Sequence, residues 1–144
     1  MGGPAELHVR PFGRADQGRV VELWQQCGLV VAWNDPLRDI EMKLAFQPEL
    51  FLVGELAGRV DATVMAGYEG HRGWINYLAV APQRRGLGLG RRMMDAAEAE
   101  LAKLGCPKIN LQVRTTNRAA LGFYERLGFR PDDSVSLGKR LQPE

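Results

Sequence analysis

Hydrophobic and polar positions alternate with two different periods along this chain, and the periods separate strands from helices. A period of two, or a short apolar run, predicts strands at Leu7–Phe12, Leu50–Leu56, Arg59–Tyr68, Trp74–Val80, Ile109–Val113 and Ser134–Leu141. A period near 3.6 predicts helices at Val20–Cys27, Pro36–Ala45, Gly88–Leu104 and Asn117–Leu127. The order β-α-α-β-β-β-α-β-α-β predicts an α/β (α+β) fold, with a mixed, mostly antiparallel sheet and helices on both faces.

Turn and cap residues support these boundaries. Asp35-Pro36 is typical of an N-cap followed by the first helical residue. Ala57-Gly58 separates two apolar runs and predicts a hairpin. Gly28, Gly105 and Gly128 follow helical patterns and are expected just past helix ends.

Composition limits the class of protein. With 144 residues, 45% of them hydrophobic and 25% charged, the chain is expected to form one soluble domain, residues 1–144. A net charge of +2 is too small for a dedicated nucleic-acid binder. No apolar run spans a membrane and the N-terminus has no signal-peptide core, so a cytoplasmic location is expected. Two cysteines and two histidines predict neither a disulfide framework nor a metal site.

The segment most informative about function connects the strand Trp74–Val80 to the helix after Gly88. It is rich in glycine and arginine, with Arg84, Arg85, Arg91, Gly86, Gly88 and Gly90. Free amides at a helix start, close backbone approach and positive charge together predict a diphosphate site. A Walker A loop is absent. The glycine spacing does not fit a dinucleotide-binding unit, which also needs an acidic residue where this chain has Lys108, Asn110 and Gln112.

Two motifs resemble those of the Gcn5-related N-acetyltransferases, the GNAT family. The first is Gln83-x-x-Gly86-x-Gly88 at the strand-to-helix turn, and the second is N-x6-Y-x-x-x-G-F, from Asn117 to Phe129. The phrases WNDP, GHRG, GCPKI and SLGKRL also resemble the YpeA group of small bacterial acetyltransferases. The resemblance covers most of the chain in element order as well as in motif.

The resemblance implies acetyl-CoA as co-substrate, with no metal, and splayed central strands that admit its pantetheine arm. The residues implied in cofactor binding are Leu78, Ala79, Val80, Arg85, Gly86, Leu87, Gly88, Leu89, Gly90, Arg91 and Asn117. The backbone N–H of Val80 matches an oxyanion contact, and Tyr124 matches the general acid that protonates the departing thiolate. Asn117 is also a plain helix N-cap, and Tyr124 also fits as an aromatic core residue.

The base that deprotonates the amine is less well marked. Several relatives carry a glutamate where this chain has Gln112, and an amide cannot accept a proton at neutral pH. Glu69 and His71 are alternative candidates, although both also fit as exposed turn residues. The base can equally be a water. Trp33, Asn34 and Asp35 border the acceptor pocket in one interpretation and form a helix cap in the other.

The expected activity is therefore direct transfer of acetyl to a primary amine of a small molecule or peptide in a ternary complex. The alternative is a non-catalytic sensor of coenzyme A or acyl-CoA, which the missing glutamate at Gln112 favours. Neither nucleic acid nor membrane is an expected partner. Dimers are common in the family, so a homodimer is compatible with the resemblance. The family uses many different acceptors, and the fold does not determine which one applies here.

Overall fold

The computed structural model describes residues 6–142, which form two compact units that meet in sequence between residues 111 and 112. The first unit holds β1 (Leu7–Pro11), α1 (Gln17–Gln26), α2 (Pro36–Leu44), β2 (Phe51–Leu56), β3 (Arg59–Tyr68), β4 (Gly73–Val80), α3 (Leu89–Lys103) and β5 (Ile109–Leu111). The second unit holds α4 (Arg118–Arg126).

The first unit is built on a five-stranded sheet in the order β1-β2-β3-β4-β5. Strands β1 to β4 pair antiparallel, and β5 pairs parallel to β4. The predicted mixed, mostly antiparallel sheet is confirmed. The predicted last strand at Ser134–Leu141 is wrong, because that segment is described and contains no strand. Its alternating apolar residues Val135 and Leu137 are 83% and 90% exposed, so the period of two buries nothing there.

Alternate residues of β2 show that helices cover opposite faces of the sheet. Phe51 and Val53 lie in one core cluster with Trp24 of α1. Gly54, the residue after Val53, lies against the opposite face. A Cβ atom added there would lie 2.9 Å from the sulfur of Met93 in α3. Because side chains alternate along a strand, α1 and α3 must lie on the two sides of the sheet.

The local chemistry explains why the elements begin and end where they do. The Asp35 carboxylate accepts hydrogen bonds from the amides of Leu37 and Arg38, which caps α2 ahead of Pro36 as predicted. Ala57 and Gly58 both adopt positive φ, 54° and 78°, which is the twist that a two-residue hairpin needs.

Gly54→Ala tests the tight packing of β2 against α3. The added methyl would sit 2.9 Å from both a Leu7 carbon and the Met93 sulfur and 3.3 Å from the Ala62 methyl. Overpacking of this kind is expected to lower the free energy of unfolding by about 1–3 kcal/mol in urea denaturation. Gly18→Ala is the control, because Gly18 is an exposed residue of α1 where an added Cβ atom meets nothing within 4 Å. This variant is expected to stabilise the protein slightly. Equal stability of the two variants would contradict this packing.

Candidate functional site

Strand β4 loses one of its two neighbours halfway along its length. Its pairing with β5 runs from Gly73 opposite Ile109 to Ile75 opposite Leu111 and stops there. Its pairing with β3 continues to Val80. Within residues 6–142, no strand pairs with the β5-side edge of residues 76–80. The predicted cofactor residues Leu78, Ala79 and Val80 all lie in this stretch, so one edge of their backbone makes no sheet ladder.

The chain leaves β4 through an exposed glycine-rich loop. A short 3-10 turn covers Pro82–Arg84, and α3 begins at Leu89. Gly86 and Gly88 have φ values of 84° and 78°, in the left-handed region that other residues enter only at a cost. A Cβ atom added at either glycine would meet nothing within 4 Å, so the space beside the loop is open.

The positive charge at this loop comes from two sources. The first amides of α3 have no carbonyl partner one turn earlier, so the helix start is an electron-poor end. Arg85 and Arg91 are exposed, and neither takes part in the ion pairs found among residues 6–142. The arrangement fits the doubly charged diphosphate that the motif predicts.

Arg84 faces away from this role. Its Nε donates a hydrogen bond to Asp61 at 3.0 Å, and Asp61 is fully buried in β3. The same carboxylate pairs with Arg19 of α1 at 2.8 Å and lies 3.5 Å from Arg59. The Asp61 carbonyl also accepts the amide of Ala81 at 2.8 Å. Arg84 therefore anchors the start of the loop to the sheet.

Two predicted site residues lie in the second unit, on α4. The side chain of Asn117 accepts a hydrogen bond from the amide of Ala120 at 3.1 Å. Asn117 is therefore the N-cap of α4, which is one of the two roles that the sequence predicted for it. Tyr124 lies in the middle of the helix and is half-buried. Its ring makes edge contacts with Phe123 and Phe129, at centroid distances of 5.0 and 5.7 Å.

The environment of Tyr124 keeps its hydroxyl protonated. Burial raises the pKa of Tyr124 to about 12, because the apolar surroundings disfavour the phenolate. A phenol with this pKa carries its proton throughout the physiological range. The hydroxyl therefore carries a proton at physiological pH, although the raised pKa makes it a weaker acid than free tyrosine.

Glu69 has a structural task in the turn after β3. Its Oε1 accepts the amide of His71 at 2.6 Å and also the amide of Arg72. These backbone hydrogen bonds, that from Arg72 first, lower the pKa of the exposed carboxyl group. Stabilising the carboxylate makes it a weaker proton acceptor, which counts against its predicted role as base.

The remaining candidate residues are distributed over both units. Gln112 follows the end of β5 and donates from its amide to the Ser136 hydroxyl. Asn34 lies in the connection between α1 and α2, where its Oδ1 accepts the amide of Val31 at 2.9 Å. Asp35 caps α2, and the Trp33 side chain is 49% exposed beside them.

Sequence patterns missed two residues that organise the site. Asp61 could have been found from the sequence, because a charged residue inside the mostly apolar β3 is expected to have a specific partner. Tyr77 could not, because its position in the alternation of β4 reads as an ordinary strand residue. The structure gives Tyr77 a φ of 50°, in the left-handed region.

The described part of the chain contains neither a membrane-spanning helix nor a cluster of metal ligands. No helix there has both the length and the apolarity that crossing a membrane requires. No three His, Cys, Asp or Glu side chains among residues 6–142 come together as a metal site would need.

Comparison with known proteins gives consistent matches. A profile described as the acetyltransferase (GNAT) family matches residues 18–129. The chain is 45% identical over 135 residues to an acetyltransferase of Yersinia enterocolitica, covering 94% of this chain and 96% of that one. Its structure resembles Ard1 from Thermoplasma volcanium, with a TM-score of 0.78, 25% identity and coverage of 86% and 82% of the two chains.

A third match shares the fold at lower identity. It is the enzyme AAC(6')-Iy in complex with the bisubstrate analog CoA-S-monomethyl-acetylneamine. The TM-score is 0.77 at 16% identity, with 94% of this chain and 99% of that chain covered.

Asp61→Asn tests the anchoring of the loop. Removing the carboxylate leaves Arg19 and Arg84 facing a neutral partner in a buried position, and is expected to lower the free energy of unfolding by about 3 kcal/mol in urea denaturation. Glu41→Gln, which breaks the fully exposed pair with Arg14, is the control and is expected to leave stability nearly unchanged. If both variants unfold at the wild-type urea concentration, Asp61 does not anchor the loop.

Proposed function

The chain belongs to the GNAT acetyltransferase family, and we propose that it moves the acetyl group of acetyl-CoA to a primary amine by direct attack in a ternary complex. The observation that carries this proposal is the unpaired edge of β4, which runs straight into an open arginine- and glycine-rich loop at the start of α3. Acetyl-CoA carries a thioester at one end of its pantetheine arm and a diphosphate at the other. A strand edge followed directly by a diphosphate-binding loop offers binding groups for both in that order.

The cofactor is proposed to bind along one continuous stretch of the first unit. The backbone of Leu78, Ala79 and Val80 would meet the pantetheine arm along the edge of β4 that pairs with no strand among residues 6–142. The loop from Arg85 to Arg91 would hold the diphosphate, with Gly86 and Gly88 allowing close approach. Asn117 is assigned to the same cofactor on the strength of its motif.

The chemistry then follows from the polarity of the reacting groups. The amine nitrogen attacks the thioester carbon, a C–N bond forms, and negative charge collects on the carbonyl oxygen, which the backbone N–H of Val80 is proposed to stabilise. The C–S bond then breaks and the sulfur leaves as a thiolate. Tyr124 is proposed to protonate that sulfur as it leaves; burial keeps the proton on the hydroxyl until then, and the same raised pKa makes the phenol a weaker acid than free tyrosine.

The attacking amine must also lose a proton. Glu69 is the carboxylate that the sequence offers for this step, but its two backbone hydrogen bonds stabilise its charged form. We therefore prefer a water molecule to Glu69 as the proton acceptor. No cysteine is assigned as a nucleophile, so a covalent acetyl-enzyme is not part of the mechanism.

The activity is assigned to the chain as one domain. The family match from residue 18 to residue 129 runs across the boundary between the two compact units, which supports treating residues 1–144 as a single functional domain. The acceptor is proposed only as a primary amine on a small molecule or peptide. A narrower class is not supported, because proteins with this fold have names that refer to acceptors as unlike as an aminoglycoside and a ribosomal protein.

Acetyl-CoA binding and turnover provide the direct test. Saturating acetyl-CoA is expected to raise Tm by about 5–10 °C at one hundred times Kd. The double variant Arg85→Ala/Arg91→Ala is expected to lose most of that shift, because it removes two cations, one in the loop and one in the first turn of α3, that take part in no ion pair found among residues 6–142. Arg38→Ala, on the exposed surface of α2, is the matched control.

Turnover separates the enzyme from a sensor. Release of free thiol is followed against a panel of primary amines, and transfer to at least one of them is expected above the rate of thioester hydrolysis. A protein that binds acetyl-CoA but releases no thiol with any amine would instead be a non-catalytic coenzyme A sensor.

Tyr124→Phe tests the general acid. Removing the hydroxyl is expected to lower kcat by about 10–100-fold with little change in acetyl-CoA affinity, because a general acid acts only in the transition state. Since Tyr124 stays protonated up to pH about 12, it contributes no fall in the wild-type rate between pH 7 and 11. A fall near pH 10 that disappears in Tyr124→Phe would show that the pKa is not raised.

A further inference from the structure

Tyr77 has the most closely restrained side chain near the unpaired end of β4. Its ring stacks on Trp24 of α1 with centroids 3.8 Å apart and planes 13° apart. Its hydroxyl donates to Asp39 of α2 at 2.6 Å and accepts from the amide of Asn34 at 2.7 Å. Its carbonyl accepts the Thr63 hydroxyl at 2.8 Å. We call the set Trp24, Asn34, Asp39 and Thr63 the Tyr77 clamp.

The clamp itself is cross-linked. The Trp24 indole donates to the Thr63 hydroxyl at 3.0 Å, and that hydroxyl donates onward to the Tyr77 carbonyl. Helix α1, strand β3 and helix α2 therefore all hold the same residue of β4. Both the ring and the peptide group of Tyr77 are fixed.

Tyr77 lies in a β-bulge. Met65 pairs with Asn76 and Thr63 pairs with Ala79, so two residues of β4, Tyr77 and Leu78, face the single residue between Thr63 and Met65. The extra residue reverses the alternation of side chains. Before the bulge, Gly73 faces Leu101 of α3. After it, Tyr77 and Ala79 pack on the α1 side.

The bulge depends on an unfavourable backbone conformation. A bulky non-glycine residue rarely adopts a φ of 50°, and such a conformation persists only where neighbouring contacts over-determine it. The contacts of the Tyr77 clamp supply that determination. Weakening the clamp releases the strain and lets β4 move toward regular pairing, which would turn the backbone groups of Leu78 and Val80 to new directions.

We propose that Tyr77 is a positioning residue for acetyl transfer: its clamp holds the bulge so that the backbone of Leu78–Val80 meets the thioester in a reactive orientation. This inference rests on the proposed function and adds a residue that the family motifs do not include. Through the hydrogen bonds of its hydroxyl to Asp39 and Asn34, Tyr77 also links β4 to α2 and to the segment between α1 and α2.

The charge state of Asp39 gives the proposal a sharp test. The buried or half-buried carboxylates of Asp16, Glu55 and Asp61 all pair with arginine. Asp39 belongs to none of the ion pairs found in residues 6–142, and its side chain accepts the Tyr77 hydroxyl. If Asp39 serves the clamp, an amide oxygen at the same place can replace the carboxylate as hydrogen-bond acceptor.

Four variants are compared with wild type: Tyr77→Phe, Asp39→Ala, Asp39→Asn and Tyr68→Phe. The first two break the hydrogen bond, and the third keeps an acceptor while removing the charge. Tyr68→Phe is the matched control, because it removes a tyrosine hydroxyl whose partner is the carbonyl of Gly70, at the far end of β3. For each variant, kcat, the Kd values for CoA and acetyl-CoA, and backbone amide NMR shifts and exchange at Leu78–Val80 are measured.

Tyr77→Phe and Asp39→Ala are expected to lower kcat by up to about tenfold, the worth of one hydrogen bond, while CoA affinity changes less than about twofold. The amides of Leu78–Val80 are expected to shift and to exchange faster in both. Asp39→Asn is expected to keep more than half of the wild-type kcat and near-native amide shifts, and Tyr68→Phe to match wild type.

Two results would overturn the proposal. One is an unchanged amide spectrum of Leu78–Val80 in both Tyr77→Phe and Asp39→Ala. The other is an Asp39→Asn variant as impaired as Asp39→Ala, since that would show that the charge of Asp39, and not its acceptor oxygen, matters.

The amide measurements need no turnover, so they remain informative if the proposed function fails. A wild-type protein without transferase activity, whose Leu78–Val80 amides still respond to Tyr77→Phe, would keep the clamp and exclude the reaction. General loss of structure is recognised separately by near-ultraviolet circular dichroism, and Asp39→Ala serves if Tyr77→Phe does not fold.

Discussion

One extra residue in β4 determines which of its side chains face α1 and which face α3. Before the bulge, odd-numbered residues such as Gly73 pack toward α3, and after it they pack toward α1, as Ala79 does. The core on both faces of the sheet requires that reversal. On the α1 side, the ring of Tyr77 stacks on Trp24.

The loop and the strand are held by different kinds of interaction. Around Tyr77 the contacts are aromatic stacking and hydrogen bonds to a half-buried hydroxyl. At the loop, a fully buried carboxylate, Asp61, is shared between arginines, and one of these, Arg84, belongs to the loop itself. Both arrangements use polar groups in places where an apolar residue would pack more easily. Their geometric specificity is the property that a backbone-lined site needs.

Most of the fold could be predicted from the periodicity of hydrophobic residues and from the turn and cap residues. The errors have physical reasons. Asp35 capping α2 and the Ala57-Gly58 turn depend on contacts within a few residues, so the local pattern was sufficient. The false strand at Ser134–Leu141 had the right period but no surface to cover. The glycine-rich loop could be predicted because its glycines lie within a few residues of one another in the sequence. The inward turn of Arg84 and the bulge at Tyr77 depend on Asp61, Trp24 and Asp39, which are distant in sequence.

The missing partner of β4 beyond Ile75 has another consequence. Beyond Ile75, one side of β4 has no strand neighbour among residues 6–142 and is a sheet edge, although β4 lies inside the sheet order. Edges of this kind invite pairing with extended segments of other chains. A ligand that hydrogen-bonds along the edge would block such pairing. Aggregation and storage behaviour should therefore depend on whether a ligand occupies this edge, even where thermal stability does not limit the protein.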